Sequence, residues 1–127
     1  MKENRIRVLR VAPFTAPEVY VIDNHLRALQ EAVSVGADYV GLIEVIDLED
    51  ERVCLICNEE GKLIGFPLNR WIGQDIIAGV FYVVGQDENR NFTSLSDEQI
   101  SYYKKRFESV EYFILDESGE IVVLRIR

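Results

Sequence analysis

Five residues that lie between apolar segments near the middle of the chain form the best candidate for a binding site: Asn58, Asn69, Arg70, Trp71 and Asp75. Arginine and asparagine side chains can bind an anion or the edge of a nucleobase, and an indole can stack on a ring. We therefore predict a ligand-binding site for a small anionic molecule such as a nucleotide. A structural role is the alternative, in which Asn69 or Asp75 caps a short helical turn after Pro67. Arg70 would then pair with Asp75.

The remaining reactive residues match no familiar catalytic mechanism. The single histidine, His25, lies at the expected start of a helix, where it can act as a cap. Cys54 and Cys57 have C-x-x-C spacing, but on a strand their side chains point to opposite faces, and no second pair completes a zinc site. The two familiar glycine-rich phosphate loops are absent from the sequence. We therefore predict no catalytic residue, no metal and no cofactor, and keep as a third hypothesis an enzyme that uses Asp75 with Arg70 or His25.

The charge distribution suggests a second function. The net charge is -8, and acidic residues concentrate between positions 44 and 51. This acidity argues against direct binding to nucleic acid, because neutralising phosphates needs a basic face. The alternative function is an acidic protein-interaction module that occludes a nucleic-acid-binding partner.

Several arginines lie near the two ends of the chain: Arg5, Arg7, Arg10, Arg125 and Arg127. If the first and last strands are neighbours, these side chains could form a basic patch that holds phosphate groups. The favoured interpretation is that they protect a sheet edge from aggregation. An exposed final strand would also allow two copies to pair as a homodimer.

The hydrophobic pattern predicts a strand hairpin and a helix in the first part of the chain. Alternation to about Ala12 indicates a first strand, and residues 19–22 form its partner after a turn bounded by prolines. Asp23 or Asn24 is then expected to cap a helix that ends near Gly36. Strands are predicted at 39–46 and 52–57, with the acidic turn between them.

Two similar turn sequences are predicted to close hairpins, at 58–61 and 116–119, because each ends in a glycine suited to a left-handed conformation. Between them lie a strand at 81–84 and a polar loop at 85–91. Ser96-Asp97-Glu98-Gln99 is a capping box, the clearest helix start in the chain. The chain is expected to end in a strand hairpin.

These elements predict an α+β fold, with a mostly antiparallel, curved sheet and two helices packed on it. The 127 residues, 48% of them hydrophobic, fit a single domain spanning 1–127. The apolar runs are only about as long as a strand, so we expect no membrane span and a cytoplasmic protein.

Four segments of the chain resemble an uncharacterised family of small domains, which occur in phages and in mobile elements of Gram-positive gut bacteria: 56–62, 67–70, 75–79 and 92–99. The resemblance implies a genetic context and no particular chemistry, and its recurrent polar positions correspond to Asn58, Asn69, Arg70 and Asp75. The leading hypothesis is thus a non-catalytic phage or mobile-element accessory protein in the bacterial host cytoplasm, for example an anti-defence protein. It would bind a host protein or a small anionic ligand.

Overall fold

The computed structural model describes residues 3–126, which form ten strands and three helices. The strands are β1 (Arg5–Val11), β2 (Glu18–Asp23), β3 (Ile43–Asp47), β4 (Val53–Asn58), β5 (Leu68–Ile72), β6 (Asp75–Ala78), β7 (Phe81–Gln86), β8 (Phe92–Thr93), β9 (Val110–Leu115) and β10 (Ile121–Ile126). The helices are α1 (Leu26–Ala32), α2 (Gly61–Ile64) and α3 (Asp97–Arg106). The predicted α+β class is confirmed, since every strand pair is antiparallel.

A six-stranded open sheet forms the centre of the fold, in the order β2-β1-β7-β4-β3, with β8 paired to the end of β7. Every residue of β4 and β7 is buried. Strands that are covered on both faces carry continuous apolar runs rather than alternating ones, and the sequences of these two strands show this pattern. The acidic segment between β3 and β4 closes a hairpin, as predicted.

The two faces of this sheet pack against different elements. Leu9 and Val11 of β1 point to one face and pack in a cluster with Tyr103 and Phe107 from α3 and its end. Ile6 and Val8 point to the other face, in a cluster that includes Leu29 and Val33 from α1 and its end. The period-two alternation of the first strand therefore divides its side chains between two cores. Each fully buried aliphatic side chain contributes about 1.5–3 kcal/mol to folding.

The two predicted helices form, but the cap of α1 differs from the expected one. The Nδ1 atom of His25 accepts a hydrogen bond from the Ala28 amide at 3.2 Å, so His25 is the cap. The prediction of Asp23 or Asn24 is wrong because β2 continues through Asp23, and Asn24 donates instead to the carbonyls of Glu3 and Phe92. The capping box of α3 is confirmed, with reciprocal bonds between Ser96 and Gln99.

The segment from 58 to 78 differs most from the predictions. The expected hairpin at 58–61 is wrong, because Gly61 begins the short helix α2, which ends at the left-handed Gly65. The short helical turn expected after Pro67 is also absent. Residues 68–78 form the hairpin β5–β6 instead, and Gly73 in its turn has a φ of 61°. Its strand β5 contacts β9, so this hairpin connects the central sheet to the C-terminal one.

The C-terminal hairpin β9–β10 is confirmed, with the turn at 116–119 and a left-handed Gly119. The premise of the basic patch is wrong, because β10 pairs with β9 while β1 pairs with β2 and β7. Arg5 pairs with Asp23, and Arg7 pairs with Asp97, so both are engaged elsewhere. Arg127, also assigned to that patch, lies outside the described residues.

Candidate functional site

Asn69 is enclosed by the protein and bonded through both ends of its amide. It is 0% exposed. Its Nδ2 donates to the carbonyls of Val11 at 2.9 Å and Gly79 at 2.8 Å, and its Oδ1 accepts from Arg70 Nη1 at 2.8 Å. A buried amide with these partners joins β5 to the end of β1 and to the turn after β6. The geometry therefore assigns Asn69 a structural role.

Arg70 is 1% exposed and directs most of its donors to main-chain carbonyls. Its Nη2 donates to Thr15 O at 2.8 Å and to Phe107 O at 3.0 Å, and its Nε has no partner within the described residues. The pKa of Arg70 is lowered, because burial disfavours the charged guanidinium more than the nearby Glu111 carboxylate stabilises it. The guanidinium connects the turn after β1 to the end of α3 and places positive charge beneath the adjacent surface.

A hollow of about 390 Å³ lies beside Arg70, and we call it the arginine hollow. It is lined by Arg70, Trp71, Gly73, Arg106, Phe107, Ser109, Glu111 and Arg125. Residues from β5, the end of α3 and both strands of the C-terminal hairpin meet there. Three arginines and one glutamate give it a positive charge within an acidic chain.

Glu111 holds the walls of the arginine hollow in place. One of its oxygens accepts from the main-chain N–H of Trp71 at 2.9 Å, and the other accepts from Arg125 Nε at 2.8 Å. The Arg125 side chain is 60% exposed, so it can reach a ligand. Arg106 lies 3.5 Å from Glu49 and over the ring of Phe107. The hollow thus presents two accessible guanidinium groups near a half-buried indole.

Asn58 and Asp75 line a different and smaller hollow, of about 170 Å³. Asn58 is buried, and its amide bonds to Ser34 Oγ at 3.2 Å and to the Glu60 amide at 2.8 Å. Asp75 is exposed and pairs with Lys62, not with Arg70. This bond, together with one from the Ile76 amide, lowers the pKa of Asp75. The five predicted residues therefore do not meet at one site.

The two cysteines are buried in the hydrophobic cores, and His25 caps α1. Cys54 and Cys57 are free and buried, in the cores on opposite faces of the sheet, as predicted. Burial raises the pKa of each thiol to about 12, with further contributions from Asp47 near Cys54 and Glu44 near Cys57. Within residues 3–126, no group of three or more histidine, cysteine, aspartate or glutamate side chains is placed to hold a metal ion.

Sequence reasoning missed most residues of the arginine hollow. The sequence pattern singles out Arg125 only as one of the terminal arginines, and it marks neither Arg106 nor Glu111 as a site residue. The alternation of Arg125 with apolar neighbours was a signal that it leaves the hairpin on one face. No local pattern could show that this face meets Trp71, more than 50 positions earlier in the chain.

Comparison with known proteins places the chain in a family without assigning a chemistry. No curated protein and no solved structure gives a significant match. A family described as Domain of unknown function (DUF3846) matches residues 6–108, which include every strand of the central sheet and end before β9. Because this match spans well over half of its length, the chain belongs to the DUF3846 family.

Proposed function

We propose that this protein is a non-catalytic binding protein whose arginine hollow receives a small anionic ligand with a planar ring, such as a nucleotide. One observation carries the proposal. The hollow brings Trp71 together with three arginines in a chain whose net charge is -8. Guanidinium groups bind phosphates through paired hydrogen bonds, and an indole offers a stacking face to a base.

The three arginines would contribute differently. The donors of Arg70 are mostly engaged by carbonyls, so it would act through its charge. Arg106 lies in a partly exposed ion pair with Glu49, which contributes only about 0–1 kcal/mol and can exchange partners at low cost. The Arg125 side chain is 60% exposed, whereas that of its partner Glu111 is only 7% exposed, so this ion pair is retained when a ligand binds. A phosphate would then bond to the Nη atoms of Arg125 while its Nε remains bonded to Glu111. Trp71 would remain anchored through its main-chain bond to Glu111.

We also propose the setting in which this binding occurs. The resemblance to domains of phages and mobile elements supports an accessory protein, such as an anti-defence protein, in the cytoplasm of a bacterial host. Its target would be a host protein or a nucleotide of the host. Among the described residues, no helix is both long and apolar enough to cross a membrane.

The first experiment is native mass spectrometry of protein purified gently from cells, with intact and denatured masses compared. A mass below one kilodalton that is lost on denaturation would support the proposal and identify the ligand class. Recovery of the bare chain would direct the search to host proteins by affinity capture.

A binding assay can then use the single tryptophan, because Trp71 lines the proposed site. AMP, ATP and inorganic phosphate would be titrated, with free N-acetyltryptophanamide correcting for nucleotide absorbance. We expect saturable quenching by a nucleotide, weakened at least about tenfold in Arg125→Gln, as expected for loss of a charged hydrogen bond. The control, Arg27→Gln, makes the same charge change on α1. Equal affinity of the two variants for the nucleotide, or no saturable quenching, would contradict the proposed site.

The final strand bears on whether the protein forms a homodimer. The outer edge of β10 has no strand partner within the described residues, which supports the proposed homodimer. Sedimentation velocity over a range of concentrations tests it, and a single monomer species throughout would reject it.

The enzyme hypothesis needs Asp75 beside Arg70 or His25. Asp75 instead pairs with Lys62, while Arg70 bonds carbonyls and His25 caps α1.

A further inference from the structure

A third hollow, of about 510 Å³, lies between the first turns of α3 and the acidic turn that joins β3 to β4. Its lining residues are Glu49, Asp50, Ser96, Glu98, Gln99, Tyr102 and Tyr103, and we call it the tyrosine-acid hollow. Three carboxylates and two phenol rings meet there. The only lysine or arginine that the structure pairs with these carboxylates, over the described residues, is Arg106, which lies 3.5 Å from Glu49.

The two tyrosines give the hollow a wall that suits an organic cation. Tyr102 is 54% exposed, and its hydroxyl donates to Glu49 Oε1 at 3.2 Å. Its ring meets the ring of Tyr103 edge to face, with centroids 4.9 Å apart. An ammonium or guanidinium group is attracted to the face of an aromatic ring, and more strongly where carboxylates lie beside it.

The hydroxyl of Tyr103 points independently to a ligand. Tyr103 is 1% exposed, and its hydroxyl has no hydrogen-bond partner of normal geometry among the described residues, although the Asp50 amide lies near it. A buried polar group left without a partner costs about 1–3 kcal/mol. Burial and the Glu49 carboxylate raise the pKa of Tyr103 to about 12, so the hydroxyl stays neutral and its oxygen can accept a bond.

The chemistry of the lining favours an organic cation over a metal. Metal sites need three or more ligand side chains converging on one point, and residues 3–126 contain no such group. Aromatic rings and separated carboxylates instead match a larger, delocalised charge. Glu51 is exposed next to the hollow and extends the negative surface along the turn. This extension suits a chain with successive positive charges better than a single amine.

We propose that the tyrosine-acid hollow receives an arginine or lysine side chain from a basic segment of a partner protein. The guanidinium or ammonium group would lie against Tyr102, bond to Glu49 and Glu98, and donate to the hydroxyl oxygen of Tyr103. This inference goes beyond the function proposed above, because the ligand is cationic and the lining residues are different. Acidic residues of the 44–51 segment then have a specific role in recognition rather than a general repulsion of nucleic acid.

The test titrates the intact protein with a hexa-arginine peptide at physiological salt, followed by calorimetry and by amide shifts in NMR spectra. We expect Glu49→Gln to weaken binding about fivefold to tenfold, as for a partly desolvated charge pair. Glu117→Gln, in the turn of the C-terminal hairpin, makes the same change in net charge and should weaken binding less than about twofold. Equal losses in the two variants would mean diffuse attraction and would overturn the proposal.

Tyr103→Phe distinguishes recognition of the peptide through the Tyr103 hydroxyl from non-specific electrostatic attraction, because it removes one oxygen and no charge. We expect this variant to weaken binding of the hexa-arginine peptide while the melting temperature stays constant or rises, since an unpaired buried hydroxyl is lost. Unchanged affinity for the peptide would overturn the proposed site. Spermidine is the third probe. If it binds as tightly as the peptide, the occupant is a small amine and the protein partner is rejected.

Discussion

At the scale of single residues, Arg70 is expected to matter for folding even if no ligand binds. Arg70→Met keeps an unbranched side chain of similar reach but removes the donors that satisfy Thr15 O, Phe107 O and the Asn69 amide. We predict a loss of about 2–4 kcal/mol in the free energy of unfolding, because buried acceptors are left without partners. Urea unfolding measures it. Arg27→Met, an exposed change on α1, should stay within about 0.5 kcal/mol, and an equal effect of the two would contradict the structural role.

The buried thiols give a prediction for pH. Burial raises the pKa of Cys54 and of Cys57 to about 12 from the ordinary thiol value of 9.0. Above pH 9 the unfolded chain therefore releases thiol protons that the folded chain keeps, and stability should fall as pH rises from about 9 towards 12. Both thiols should resist iodoacetamide at pH 8 until urea unfolds the chain, as intact mass would show. A control with serine at both positions should lose less stability over the same pH range.

The predicted site also shows how far a sequence can locate functional residues. Asn69 and Arg70 were identified because polar residues stood where apolar ones were expected, and both are indeed unusual: they are charged or amide groups at 0% and 1% exposure. Their partners, however, are the carbonyls of Val11, Thr15 and Phe107, which belong to distant segments. Such long-range acceptors leave no trace in local spacing. Pattern alone therefore could not separate a buried network from a ligand site.

At the scale of elements, the start of α3 is determined by a motif of four neighbouring residues. Its capping box is complete within four residues, which is why the sequence was sufficient to predict it. Ser96→Ala should cost about 1 kcal/mol, because the Gln99 amide loses its acceptor. Ser101→Ala, exposed on the same helix, should be neutral or slightly stabilising, since alanine has the higher helix propensity. Thermal unfolding of both variants makes the comparison, and equal melting temperatures would contradict the importance of the cap.

The turns at 58–61 and 116–119 have similar sequences, but only the second one closes a hairpin. The turn at 116–119 joins two strands that form a separate sheet and pair as strands only with each other, so the local preference decides the hairpin. At 58–61 a tertiary contact decides instead. A Cβ atom on Gly61 would lie 2.6 Å from the carbonyl oxygen of Ala78, so this glycine serves a close approach between α2 and β6. The chain consequently continues into a helix rather than back along β4.

At the scale of the whole molecule, two hollows of opposite charge lie at the two ends of α3. They are connected by one ion pair, Glu49–Arg106, whose members line the tyrosine-acid hollow and the arginine hollow respectively. A cation bound to Glu49 would release Arg106 towards an anion in the other hollow. Binding at the two sites is therefore expected to be mutually favourable, and high salt should weaken both.

The C-terminal hairpin is expected to be an addition to a fold that is stable without it. Among the described residues, none after Phe107 belongs to either core cluster, and the family match ends at position 108. A chain that ends at Ser109 should keep a dispersed NMR spectrum and melt cooperatively. Its melting temperature should fall by roughly 4–8 °C for each kcal/mol lost, because Trp71 loses the acceptor on Glu111 and the ring of Phe113.

Tryptophan fluorescence would distinguish this outcome from simple destabilisation. Emission of Trp71 should shift to longer wavelength in the shortened chain, since the indole gains exposure when β9 is removed. Phe113→Ala in the full chain removes the ring contact alone and should give a smaller shift, because Glu111 still binds the Trp71 amide. A shortened chain with a collapsed NMR spectrum would instead mean that the hairpin completes the core. In that case the residues after 108 would be part of the folding unit, although the central sheet and both core clusters are formed without them.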